Sequence, residues 1–101
     1  MHYDILIRNC RLYDSGRMAD IAVRDGAIAD IGDGPEGTAK IEVDVGGRTV
    51  IPGIIDIHIQ GAGGADVLDG SPEALKTMAV ALARMGTTGF LATTVMSPVR
   101  N

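Results

Sequence analysis

The sequence predicts a mixed α/β chain in two parts: short strands over residues 1–52, then a strand, a helix and a second, parallel strand over 53–101. Three observations carry the prediction. Apolar and polar residues alternate with period two as far as Val50, the dipeptide Pro52-Gly53 interrupts that pattern, and apolar residues from Leu75 to Met85 recur with helical spacing.

In the first part, YDILIRN and CRLYD read as two short strands. ADIAVR and AIADIG follow, flanking Asp25-Gly26, a dipeptide that tolerates the positive φ needed at both central positions of a tight hairpin. GDGPEG, residues 32–37, is a surface turn, and IEVD and RTVI are further strands separated by Gly46-Gly47. The whole reads as a β-meander. Arg8, Arg24 and Asp44 fall on the alternate, solvent-facing positions and form no chemical constellation. Cys10 lies within a strand pattern and is expected as a small core residue.

The second part opens with IIDIHIQ, which places Ile55, Ile57 and Ile59 on one face of a strand and Asp56, His58 and Gln60 on the other. GAGGADVLDG is a loop. Ser71-Pro72-Glu73 then supplies an N-cap, a proline at the first helical position and an acid in the first turn, so a helix is expected from about Pro72 to Met85. Leu75, Met78, Ala79, Leu82 and Met85 are its expected buried stripe, and Gly86 its stop. TTGFLATTV, residues 87–95, is a strand apolar enough to be covered on both faces, which completes a βαβ unit.

Composition excludes several functions. The chain is 46% hydrophobic and 22% charged, with only Tyr3, Tyr13 and Phe90 aromatic, so it is an ordinary aliphatic-cored domain and no disordered tail. The net charge of −4 is spread over both signs, leaving no basic stripe for nucleic acid and no polybasic membrane anchor. A single cysteine rules out an internal disulfide and an all-cysteine metal site. No basic-then-apolar leader and no run of roughly 18 apolar residues is present, so the expected location is the cytoplasm. His2, near a chain end expected to fray, carries no functional inference.

The polar face of IIDIHIQ is the chemically informative feature. Left unpaired in a buried setting, each polar side chain would cost roughly 1–3 kcal/mol, so it is matched either within the fold or by a ligand. His58 and Gln60 sit at the carboxyl end of a parallel strand, where α/β folds build their sites; Asp56 lies deeper and is expected to be structural or to support a ligand. On spacing alone His58 reads either as a metal ligand or as a satisfied core histidine. Gly61, Gly63 and Gly64 give the loop close backbone approach, leaving room for a substrate beside the strand end. G-A-G-G-A-D does not match the dinucleotide fingerprint, whose third glycine would fall on Asp66.

The order of a β-meander followed by V-I-P-G-I-I-D-I-H-I-Q-G resembles the start of amidohydrolase-superfamily enzymes, in which a small β-sandwich leads through a Pro-Gly-x-x-Asp-x-His-x-His motif into a metal-binding barrel. Within it, G-A-G-G-A-D, S-P-E-A-L and A-R-M-G-T-T-G-F-L-A-T-T are most similar to the N-acetylglucosamine-6-phosphate deacetylase family, from about Tyr3 to Pro98. The resemblance implies that residues 1–52 are part of the β-sandwich and residues 53–101 the start of an incomplete, TIM-like hydrolase barrel. It implies that His58 is a metal ligand and that Gln60, standing where many relatives carry a second histidine, is a weaker one. It also implies a divalent ion, zinc or iron, in the complete enzyme, which this stretch alone need not hold, and a small amino-sugar phosphate as substrate.

The family's acidic ligand, two further histidines and catalytic aspartate have no counterpart before Asn101, so no catalytic residue is expected within the chain, which reads as the inactive N-terminal portion of the enzyme. Thr93 and Thr94 fall near the second strand's end without an assigned role. Open strand edges in so apolar a segment point to a homo-oligomer. Two other readings stand beside this one: a dihydroorotase-like or other cyclic-amide hydrolase, and a non-catalytic assembly module in which Asp56, His58 and Gln60 form a structural cluster.

Overall fold

The computed structural model describes residues 1–96; residues 97–101, on which the end of the resemblance falls, lie outside the described residues. The chain divides into two compact units, Met1–Ile51 and Pro52–Asn101. Together they form a sheet-rich α/β chain with one short α-helix among the described residues.

The first unit is a five-stranded sheet built from β1 (His2–Leu12), β2 (Met18–Arg24), β3 (Ala27–Gly32), β4 (Thr38–Asp44) and β5 (Thr49–Val50). β2 and β3 form the expected hairpin: Arg24 faces Ala27 across Asp25 and Gly26, whose φ values are 52° and 75°. The meander stops there. β4 returns beside β1 in parallel, pairing His2 with Thr38 and Arg8 with Asp44, and β5 continues along the same edge, pairing Arg11 with Thr49. Residues 48 and 51 of the expected last strand lie outside it. His2 begins β1 rather than fraying, with its Nδ1 3.0 Å from Thr38 Oγ1.

YDILIRN and CRLYD prove to be one strand with a bulge. Ile7 pairs with Ile21 and Cys10 with Ala19, so Arg8 and Asn9 both oppose Asp20. Asn9 takes a left-handed φ of 59°, which asparagine tolerates better than most residues. The Asp20 carboxylate fastens the bulge by accepting from the Asn9 N–H at 2.9 Å and from Arg8 Nη1 at 3.0 Å. Arg8 is therefore only half exposed, and it also pairs with Glu42 on β4. Those two partners, Glu42 foremost, hold its guanidinium above its ordinary pKa. Asp44, which is exposed as expected, accepts from Asn9 Nδ2 and the Gly46 N–H, and these bonds hold its carboxyl below the usual range. Arg24 is exposed, with its guanidinium 6.0 Å from the Tyr3 ring centre.

Tyr3, Leu6 and Ala22 pack together with Ala39 against them, and Cys10, Ala19 and Ile21 are also buried. Burial raises the Cys10 thiol pKa, with the Asp20 charge adding to it, so the sulfur stays a protonated core group. The register puts Ile5, Ile7, Ile21, Val23, Ile31, Ile41 and Val43 on one face of the sheet, where Ile31, Ile41 and Val43 remain exposed.

The second unit pairs β6 (Ile54–Ile59) in parallel with β9 (Thr87–Ala92), joined through helix α1 (Pro72–Ala83). Ser71 caps α1 by accepting the Ala74 N–H at 3.1 Å, and the chain leaves through Gly86 at φ 89°. The helix is two residues shorter than expected, and its buried face is turned. Ala74, Met78 and Leu82 are buried, whereas Leu75, Ala79 and Met85 are exposed. α1 packs mainly on the segment after β6, where Gly63 approaches Ala81 and Thr77. β9 ends at Ala92 and is not covered on both faces, since Thr88, Leu91 and Ala92 are exposed.

Candidate functional site

Gly53 sets how closely the start of β6 approaches β9. A Cβ there would lie 2.1 Å from Thr88 Cγ2, so only glycine fits without displacing that side chain. The Ile54 N–H then donates to Gly86 O at 3.0 Å, and the ladder runs through Ile55–Gly89 and Asp56–Phe90.

Beyond Asp56 the register shifts. Pairing resumes at Ile59–Ala92, so Ile57 and His58 on β6 share Leu91 as their opposite residue. The Asp56 side chain, half buried, accepts the His58 backbone N–H at 3.1 Å. His58 and Gln60 are both exposed at the carboxyl end of the strand. The period-two alternation expected for Asp56, His58 and Gln60 is thus interrupted between the first two of them. Past the bulge, Ile59 O accepts the Thr93 N–H at 2.8 Å and Gln60 O accepts the Val67 N–H at 2.8 Å, tying the strand end to β9 and to the loop.

GAGGADVLDG is an ordered element rather than a bare loop. β7 (Gly61–Ala62) and β8 (Ala65–Asp66) form a small hairpin around Gly63 and Gly64, whose φ values are 64° and 83°. A 3-10 turn, Val67–Asp69, follows, and Asp66 and Asp69 cap each other's backbone N–H groups around it. The spacing of the two aspartates in A-D-V-L-D was the readable signal for that cap. A Cβ on Gly63 would lie 2.9 Å from Ala81 Cβ on α1, and one on Gly61 would lie 2.6 Å from Ala65 O. Internal packing therefore accounts for these two glycines, while Gly64 faces open space.

The donor groups available at the strand end are those of His58 and Gln60. His58 offers an imidazole and Gln60 an amide oxygen, which is at most half of a four-coordinate shell. Among the described residues no group of three or more His, Cys, Asp or Glu side chains is placed to hold an ion. No helix among them is long and apolar enough to cross a membrane.

No family model matches the chain. Among characterised proteins, it is 35% identical over 94 residues to N-acetylglucosamine-6-phosphate deacetylase of Lysinibacillus sphaericus, a match covering 90% of this chain and 24% of that protein. It is 45% identical over 60 residues to allantoinase of Desulfitobacterium hafniense, covering 57% of this chain and 13% of that protein. Among solved structures it superposes on L-hydantoinase from Arthrobacter aurescens, with a TM-score of 0.53 and 38% identity over 57% of this chain and 14% of that one. It superposes equally on N-acyl-D-glutamate deacylase from Bordetella bronchiseptica, with a TM-score of 0.53 and 37% identity over 57% of this chain and 13% of that one; that structure holds zinc and a phosphonate mimic of the tetrahedral intermediate.

The relatives are hydrolases acting on amide bonds, and these matches support the resemblance of the chain to amidohydrolases. The chain spans about a quarter or less of their length.

Proposed function

We propose that this chain is the N-terminal portion of a metal-dependent N-acetylglucosamine-6-phosphate deacetylase, which hydrolyses the N-acetyl amide to release glucosamine 6-phosphate and acetate. The observation that carries the reading is the extent of the likeness: the deacetylase match runs over 94 residues, against 60 for the allantoinase. On this reading His58 is a metal ligand, Gln60 a weaker one, and Gly61, Gly63 and Gly64 shape the wall beside the substrate. A divalent ion, zinc or iron, would supply carbonyl polarisation and water activation when bound. The chain's own residues would bind and orient that ion at one edge, and the remaining ligands and the general base would come from further sequence.

Two open surfaces support the architecture that goes with this function. The aliphatic face of the first unit's sheet wants a second layer, as in a β-sandwich. In the second unit Ile55 and Ile57 are 69% and 73% exposed, the condition of a barrel strand awaiting its neighbours. The same surfaces predict that the 101-residue chain, expressed alone, self-associates and is catalytically inactive; a monomeric mass in sedimentation at micromolar concentration contradicts the first expectation. For the complete enzyme the reading places the reaction in the cytoplasm.

A second reading, a cyclic-amide hydrolase, is favoured by the higher identity of the allantoinase match and by the superposition on L-hydantoinase. A substrate panel on the full-length gene product separates the two. Acetate release from N-acetylglucosamine 6-phosphate without ring opening of allantoin or hydantoins is the expected result, and the reverse pattern overturns the deacetylase assignment.

A further inference from the structure

We propose that Asp56 is the positioning residue for His58, acting through the bulge that its carboxylate closes. The inference rests on the reading of His58 as a site residue given above. In a parallel pair alternate N–H groups of a strand face the neighbouring strand, and a bulge breaks that alternation and changes which residues do so. Here the two residues between the Asp56–Phe90 and Ile59–Ala92 pairs face only Leu91. Within this bulge the Asp56 Oδ1 accepts the His58 N–H at 3.1 Å, the two-residue reach at which aspartate side chains close local turns.

The strand is paired with β9 on both sides of this gap, with a second register shift earlier, between Ile54 and Ile55. Asp56 is paired with Phe90, and Ile59 is held by the Thr93 N–H at 2.8 Å. The direction in which the His58 imidazole leaves the strand is therefore set by the Ile57–His58 dipeptide, and the Asp56 carboxylate is the side chain that bonds to it. A bulge bends its strand and re-aims a side chain, which explains an aspartate two residues before an exposed histidine at the end of a parallel strand. Asp56 need touch neither ion nor substrate to do this.

The test uses the full-length gene product with isotope-labelled histidine and zinc alone as probe. Asp56→Asn keeps an acceptor oxygen, Asp56→Ala removes it, and His58→Ala removes the presented group. In the unaltered protein the His58 N–H is expected to resist hydrogen exchange, with no variant required. D56A should speed that exchange and weaken zinc binding roughly 10- to 100-fold, the usual effect of losing a residue that orients a ligand, while D56N stays within a few-fold on both readouts. A His58 N–H that exchanges freely in the unaltered protein, or a D56A protein with unchanged zinc affinity, overturns the positioning role. Unchanged zinc affinity in H58A overturns instead the reading of His58 on which the role rests.

Discussion

The two units solve the same problem to different degrees. Residues Met1–Ile51 bury Tyr3, Leu6, Cys10, Ala19, Ile21 and Ala22 in one sheet and fasten its bulge with Asp20 and Arg8. The second unit, which carries the candidate site, buries only Ala74, Met78 and Leu82 among its described residues and leaves both faces of β6 largely open. The difference teaches where each unit's order comes from. The first is held by its own strand pairing and polar stitching, whereas the second has local order, from caps, glycines and a hairpin, around strands that lack side-chain cover.

The largest effect expected on this comparison is at the open strand end. His58→Ala in the full-length gene product should reduce deacetylation by more than the roughly 10- to 100-fold typical of losing a supporting residue, with metal released in parallel. Full activity with metal retained would reduce His58 to a structural residue and leave the second unit without a site.

Next comes the helix. Met78 is fully buried and Met85 is 67% exposed, so Met78→Ala should destabilise the second unit by about 2–5 kcal/mol and Met85→Ala should be nearly silent. Equal costs in a denaturant titration would mean that the face expected from sequence, not the observed one, is buried. Gly53→Ala should cost about 1–3 kcal/mol by forcing Thr88 aside, whereas the same change at Gly89, where a Cβ meets open space, should cost less.

These contrasts also mark what was legible in the sequence. Ser71-Pro72, Gly86 and Asp25-Gly26 announce their elements because caps and tight turns are made by neighbouring residues with specific backbone demands. The parallel return of β4 onto β1 was not legible, since pairing between residues 36 apart leaves no local mark on a strand that alternates equally well in a meander. The bulge at Asn9 was hidden for a related reason: Asp20, the group that fastens it, lies on another strand. On α1 the apolar spacing pointed to Leu75, whereas the structure buries Ala74; what the helix packs against, chiefly β7 and β8, leaves no mark in its own spacing. At the site, His58, Gln60 and Asp56 were found by their position on the strand, but the register shift between Asp56 and Ile59 depends on β9 and could not be read from β6 alone.

The smallest expected effect concerns acid. Asp44 in the folded first unit has a pKa below the ordinary carboxylate value of about 3.9, so its contribution to stability is present above that value and is lost as pH falls through the lower folded pKa. Urea midpoints of the unaltered chain and of Asp44→Asn should therefore differ at pH near 5 and converge as the solution approaches pH 2. A difference that persists undiminished at low pH would show that the Asn9 and Gly46 bonds do not depend on the charge.

The most direct test of the central claim, that this chain is one edge of a larger amidohydrolase site, is the intact mass of the native protein in its source cell, detected with an antibody against these 101 residues. A product several times 10.5 kDa is expected. A product of 10.5 kDa would contradict it, leaving His58 as a structural residue of a small self-contained protein.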